Sequence, residues 1–130
     1  VEEKDFIFIV DDSNKKSNNF PQIPKLIKND QSENKHLVLF RHHVAIKDLK
    51  HFSNDTSELG IIQKEELSNY ANNFNEFTMI YGNGGKSRFK PRIACLKDKN
   101  ITHILNGIGD YRGDKLLILK DGNIFEYTLN

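Results

Sequence analysis

Several residue types are scarce in this chain, and each scarcity excludes a class of protein. The 130 residues include a single cysteine, Cys95, so an internal disulfide framework cannot form. No apolar run approaches the ~20 residues that a membrane helix needs, so we expect a soluble domain without a membrane span. The length suits one globular domain, 1–130, with one core. Because Cys95 lies inside the apolar run 92–96, we expect its thiol to be buried and inert.

Established catalytic signatures are also missing from the sequence. The glycine-rich segments 82–85 and 106–114 match neither a Walker A loop nor a dinucleotide-binding fingerprint. No HExxH, GxSxG or paired CxxC pattern is present. We therefore expect no cofactor, and we disfavour zincins, hydrolases of the nucleophile-elbow type and nucleotide-binding enzymes.

The first half of the chain predicts a strand, a helix and a second strand. The continuous apolar run 6–10 is rich in β-formers and indicates a strand covered on both faces. Pro21 and Pro24 suit the first turn of a short helix that runs to about Asn29. The apolar run 36–40 follows as a second strand. Because crossovers of this kind favour parallel neighbours, the two strands are candidates for a parallel pair.

Two further helices are predicted before residue 75. Apolar residues recur at helical spacing over 44–52, which indicates an amphipathic helix. The clearest helical pattern has spacing i, i+3, i+4 and i+7, and it comprises Leu67, Tyr70, Ala71 and Phe74. Glu65 and Glu66 fall in the first turn of that helix, where acidic side chains are favourable.

The second half of the chain predicts strands. Five short apolar runs are candidates, at 77–81, 92–96, 101–105, 115–119 and 124–129. Asp121-Gly122 between two of them is a strong signal for a two-residue hairpin turn. The predicted fold is therefore an α+β domain, in which an N-terminal strand-helix-strand unit and helices precede a C-terminal antiparallel β-meander.

The net charge is only +1, yet the cations are unevenly distributed. Between residues 86 and 92 they occupy every second position, as Lys86, Arg88, Lys90 and Arg92. On an extended chain such residues share one face and stand ~6.6 Å apart, a spacing that suits successive phosphates of a single strand. The segment therefore predicts phosphate binding. The alternative is a solvent-facing strand, or an edge that charge protects against aggregation.

A second group of polar residues follows the first two predicted strands. Asp11 and Asp12 come after the run 6–10, and Arg41-His42-His43 come after the run 36–40. If these strands are parallel neighbours, both groups lie at the carboxyl edge of the sheet, where open α/β sheets bind ligands. A carboxylate there could orient a histidine for acid–base chemistry or help to bind a metal. The alternative is an ion pair between Arg41 and a carboxylate that closes the loop.

A third group is predicted in the last part of the chain. The loop 106–114 lies between two strands and carries Tyr111 and Arg112 among its glycines. His103 shares a strand face with Ile101 and Leu105, so it is either an acid–base candidate or a histidine of the core.

These patterns together predict a nucleic-acid-directed domain, a small metal-independent ribonuclease of the toxin type. RNA cleavage without a metal needs a base, an acid and cations that hold the phosphate. The catalytic candidates are His42, His43, His103, Tyr111 and Arg112. The phosphate-binding candidates are Lys86, Arg88, Lys90 and Arg92. The expected partner is RNA or another polyanion.

Two other functions are consistent with the sequence. The first is a non-enzymatic protein-binding module, such as an inhibitor or immunity protein with a cognate protein partner. The near-neutral net charge favours it, because small nucleases are commonly more basic. The second is an α/β enzyme that uses Asp11, Asp12 and His42.

Overall fold

A computed structural model describes residues 5–13, 23–28, 34–53, 58, 60–83, 93–106, 115–121 and 123–128. Within this part of the chain five strands form one sheet and two strands form a separate hairpin. The strands of the larger sheet are β1 (Phe6–Val10), β2 (His36–Arg41), β3 (Glu76–Tyr81), β4 (Ile93–Asp98) and β5 (Ile101–Asn106). The strands of the hairpin are β6 (Lys115–Lys120) and β7 (Asn123–Thr128).

The larger sheet has the strand order β1-β2-β3-β5-β4. β1, β2, β3 and β5 pair in parallel, whereas β4 lies antiparallel to β5 at the edge. The parallel pairing of β1 with β2 agrees with the expectation from the strand-helix-strand unit. The carboxyl ends of the four parallel strands consequently lie along one side of the sheet, here called the carboxyl edge.

The helices of the described residues are short. α1 is Ile23–Lys28, a 3₁₀-helix is Lys47–Phe52, and α2 is Lys64–Ala71. The predicted helix over 44–52 therefore begins later than expected. Ile46 has an extended backbone, and the carbonyl of Ala45 accepts a hydrogen bond of 2.8 Å from the amide of Ile62. Three consecutive buried residues, 44–46, cannot all lie on one face of a helix, so the helix begins only after them.

The main core lies between one face of the sheet and the helices. Alternate residues of the parallel strands point into it, as the period of two in a strand requires. These residues are Ile7, Ile9, Leu37, Leu39, Phe77, Met79, Tyr81, Ile101 and Leu105. Leu49 of the 3₁₀-helix and Leu67 and Ala71 of α2 pack against them. We call this side of the sheet the core face.

The hairpin β6–β7 approaches the opposite face of the sheet. Asn123 and Ile124 of β7 share a small cavity of about 140 Å³ with Thr78 and Ile104. Asp121, in the turn, has a φ of 50°, which agrees with the hairpin turn expected at Asp121-Gly122.

The α+β class is confirmed at the coarse level, since a mixed sheet is combined with a few helices. The C-terminal meander is not confirmed, because β3 pairs in parallel with β5 and because β6 and β7 form their own sheet. Burial explains the strand order. Ile101, Ile104 and Leu105 of β5 need cover on both faces and occupy an inner position, whereas β4 carries Lys97 and Asp98 and lies at the edge.

The expectation for Cys95 is wrong. Its side chain is exposed, because β4 is the edge strand and its residues 95–98 are all exposed. An apolar run does not show whether its strand lies inside a sheet or at its edge. None of the helices in the described part of the chain is long and apolar enough to cross a lipid bilayer.

Candidate functional site

A cleft of about 460 Å³ opens at the carboxyl edge, where β1, β2 and β3 end side by side. Each strand contributes its last residues, or those just after it, to the lining. The polar lining residues are Asp11 after β1, Arg41 and His42 at the end of β2, and Tyr81 at the end of β3. Open parallel sheets commonly bind ligands at this position, so the cleft is the candidate site.

Arg41 and Asp11 form a buried ion pair below the cleft. Nε of Arg41 lies 3.6 Å from Oδ2 of Asp11, and the two side chains are 0% and 7% exposed. Arg41 also donates a hydrogen bond of 3.1 Å from Nη2 to the carbonyl oxygen of Gly60. Gly60 has a φ of +71°, and a Cβ at this position would overlap the guanidinium, so the close approach requires glycine. The ion-pair alternative drawn from the sequence is thus present.

His42 and His43 lie just beyond β2 with their ring centroids 4.8 Å apart in an edge-to-face arrangement. The amide of His43 donates a hydrogen bond of 3.0 Å to Oγ of Ser13, which ties this loop to the end of β1. A Cβ built on Gly82 would lie 3.8 Å from Nδ1 of His42, so His42 also lies close to the end of β3. His42 is exposed and lines the cleft, so a ligand there can reach it, and His43 beside it is partly exposed.

The pair Tyr81–His103 lies deeper, in the core. The phenol of Tyr81 and Nδ1 of His103 share a hydrogen bond of 2.8 Å, and their rings stack. Burial raises the pKa of Tyr81 far above its usual range, although the nearby Arg41 opposes the shift. Burial also lowers the pKa of His103 to about 4. The ring of His103 is therefore neutral at neutral pH, and its position supports the alternative of a core histidine.

The low pKa of His103 predicts that acid destabilises the fold. The unfolded chain binds a proton at this residue near the ordinary pKa of 6.5, whereas the folded protein does so only near about 4. Stability is therefore fully present above pH 6.5 and is lost as the pH falls toward 4. We expect the free energy of unfolding to drop by about 3 kcal/mol from pH 7.5 to pH 4 on account of His103. Urea unfolding at several pH values measures this loss.

His103→Gln isolates this contribution, because glutamine keeps a hydrogen-bonding side chain but does not titrate. Between pH 7.5 and pH 4, the free energy of unfolding of the variant should fall by about 3 kcal/mol less than that of the wild type. His51→Gln is the control, since His51 is exposed on the 3₁₀-helix and lies outside the core. An equal pH dependence in His103→Gln and wild type would contradict the prediction.

Six of the predicted site residues fall outside the described residues. These are Lys86, Arg88, Lys90, Arg92, Tyr111 and Arg112. The residues that flank their segments are described: β3 leads to Asn83, β4 begins at Ile93, and β5 ends at Asn106. All three flanking positions are at the carboxyl edge, because Ile93 pairs with Asn106 at the end of β5. The roles of the six residues stay predictions.

Sequence reasoning overlooked several residues that line the cleft or support the residues that line it. Tyr81 ends β3 and Gly82 follows it, as Asp11 follows β1, but the sequence pattern assigned β3 to an antiparallel meander. Recognition of a third parallel strand would have placed them at the same edge. The sequence pattern at Ser13 indicates a role only weakly, since it consists of a small hydroxyl residue directly after two aspartates. No sequence signal marks Gly60, whose role depends on a side chain nineteen positions earlier in the chain.

Comparisons of the chain with protein-family models, with curated proteins and with solved structures returned no match. Among the described residues, no group of three or more His, Cys, Asp and Glu side chains is arranged to hold a metal ion.

Proposed function

We propose that this domain binds single-stranded RNA at the carboxyl edge and cleaves it without a metal ion. The observation that carries the proposal is the parallel pairing of β1, β2 and β3, which brings Asp11, Arg41 and His42 to one cleft, with the ring of His43 against that of His42. The buried ion pair holds the ends of β1 and β2 together, and the two histidines follow directly after β2.

His42 and His43 are suited to the acid–base part of the reaction. One ring accepts the proton of a ribose 2′-hydroxyl, whose oxygen forms a bond to phosphorus. The bond from phosphorus to the 5′-oxygen breaks, and the other ring gives that oxygen a proton. The products are a 2′,3′-cyclic phosphate and a free 5′-hydroxyl. A centroid distance of 4.8 Å lets both rings reach one phosphodiester group.

The basic segment 86–92 supports the choice of a polyanionic substrate. Before this segment the chain leaves the sheet at Tyr81, the end of β3, and after it the chain re-enters the sheet at Ile93, both at the carboxyl edge. Cations there would supply the phosphate contacts that give nucleic-acid binding its affinity and its salt dependence. We therefore assign Lys86, Arg88, Lys90 and Arg92 to phosphate binding as part of the proposal.

Binding of a fluorescent single-stranded RNA at several salt concentrations tests the proposal. In a plot of the logarithm of RNA affinity against the logarithm of salt concentration, four phosphate contacts should give a slope of about −3. The triple variant Arg88→Ala/Lys90→Ala/Arg92→Ala should bind more weakly, with a slope shallower by about 2.

A matched control removes three cations outside the cleft. The variant Lys47→Ala/Lys97→Ala/Lys120→Ala loses the same charge from exposed positions and should keep most of the wild-type slope. If the two triple variants lost RNA affinity equally, the net charge of the protein alone would account for its attraction to RNA. No binding of RNA by the wild type at low salt would overturn the proposal.

A protein-binding module is the second candidate, and the hairpin favours it. Ile118 and Phe125 are direct partners across β6 and β7 and therefore share a face, and both are exposed, as is Tyr127. Exposed apolar side chains that lie together often mark a protein contact. An absence of RNA binding would make this candidate the better explanation.

A further inference from the structure

An apolar row crosses the sheet at the floor of the cleft. Val10 pairs with Phe40, Phe40 with Ile80, and Ile80 with Ile104, so the four side chains lie on one face in the same register. This face is opposite to the core face. Ile104 is only 2% exposed, but the exposed fraction rises along the row to 38% at Phe40 and 78% at Val10. The end of the row at β1 and β2 is therefore open to solvent.

This exposure is unusual for the fold. Parallel sheets are normally covered on both faces, and the apolar strands β1 and β2 have the composition expected of covered strands. Val10 and Phe40 nevertheless line the cleft together with His42, two residues after Phe40. An aromatic ring flanked by aliphatic side chains thus lies in the same cleft as His42.

We propose that Phe40, with Val10 and Ile80 on either side, stacks against an unpaired base of the RNA substrate. This inference rests on the proposed function and adds that the site takes a single-stranded nucleotide. Neighbouring strands are about 4.8 Å apart, so the three side chains span about 10 Å, enough for a base and its ribose. A base on Phe40 places its sugar and phosphate next to His42.

The size and chemistry of the cleft favour a nucleotide over a protein partner. A volume of about 460 Å³ is in the range of sites that enclose small ligands, whereas protein interfaces spread over much flatter areas. Aromatic residues stack on bases of any sequence, since every base has a π-face. The substrate preference of this site should accordingly be for unpaired RNA with little base specificity.

Two fluorescent oligonucleotides test the proposal: an eight-nucleotide single-stranded RNA, and the same backbone with all bases removed. The wild type should bind the intact RNA about 10- to 100-fold more tightly than the abasic one. Phe40→Ala should bind intact RNA more weakly by a similar factor and should distinguish the two probes far less. Phe40→Tyr should behave like the wild type, because the ring is retained.

Phe125→Ala is the matched control, since Phe125 is also exposed, at 47%, but lies on the hairpin. This variant should retain the wild-type preference for intact RNA. Melting temperatures of all variants show whether they are folded.

Each contrary outcome has a distinct meaning. Equal binding of both probes by the wild type would overturn the stacking site and leave the proposed function in place. Binding of neither probe would overturn both. Concentration-dependent self-association that Phe40→Ala abolishes, without any effect on RNA affinity, would overturn the stacking site and identify the apolar row as an interface between copies of this chain.

Discussion

Replacement of His42 by alanine is expected to lower the rate of RNA cleavage about 10²- to 10⁴-fold, the usual loss when a general acid or base is removed. His42 is the exposed histidine of the pair, and it lies in the cleft between the ends of β2 and β3. RNA affinity should change little, because the proposal assigns phosphate binding to the segment 86–92 and not to His42. Cleavage of a labelled single-stranded RNA, measured in the presence of EDTA, gives the rate without metal ions.

His43→Ala should lower the rate by a similar factor, since the proposed reaction needs one ring to accept the proton of the 2′-hydroxyl and the other to give a proton to the 5′-oxygen. The double variant should cleave RNA almost as fast as the slower of the two single variants. The rate losses do not multiply, because the two residues act as a unit. His51→Ala is the control, as His51 is exposed on the 3₁₀-helix. Undiminished cleavage by both His42→Ala and His43→Ala would remove these histidines from the mechanism.

The second large effect concerns stability. Arg41→Met should lower the free energy of unfolding by about 3–5 kcal/mol, because it leaves the buried carboxylate of Asp11 without the guanidinium. The hydrogen bond from Arg41 to the carbonyl oxygen of Gly60 is lost as well. The methionine side chain is of similar length but carries no charge. The loss of stability therefore reflects the lost ion pair more than a cavity. Urea unfolding at pH 7.5 measures it.

Removal of both charges should cost less than removal of one. The double variant Arg41→Met/Asp11→Leu should recover part of the loss, since no uncompensated charge stays buried. Lys64→Met is the control, because it breaks an exposed ion pair. Lys64 and Asp48 are both about half exposed, so this substitution should change the free energy of unfolding little. An Arg41→Met variant as stable as the wild type would show that the ion pair contributes nothing to the fold.

The sequence predicted the positions of the strands well. All seven strands of the described residues lie within two residues of the predicted runs, and β1 coincides with the run 6–10. Continuous apolar and β-branched residues between polar loops make such segments recognisable without tertiary information. The carboxyl-edge group was also expected, because a strand-helix-strand connection favours parallel neighbours.

The pairing of the later strands could not be predicted in the same way. β3 and β5 lie side by side although β4 separates them in the chain, and the hairpin β6–β7 stays outside the sheet. Local residue patterns show which side chains seek burial but not which distant strand provides it. The misplacement of Cys95 and the omission of Tyr81 from the cleft both follow from this gap.

By itself, the sequence determined the strands, the clearest helix and the residues able to carry charge or protons. Only the tertiary structure decided that Arg41 lies buried beside Asp11, that His103 lies in the core with a low pKa, and that Phe40 lies open beside His42. Burial is the physical reason for the difference. It depends on contacts between segments far apart in the chain, and it sets whether a charged or titratable group is paired, neutral or accessible.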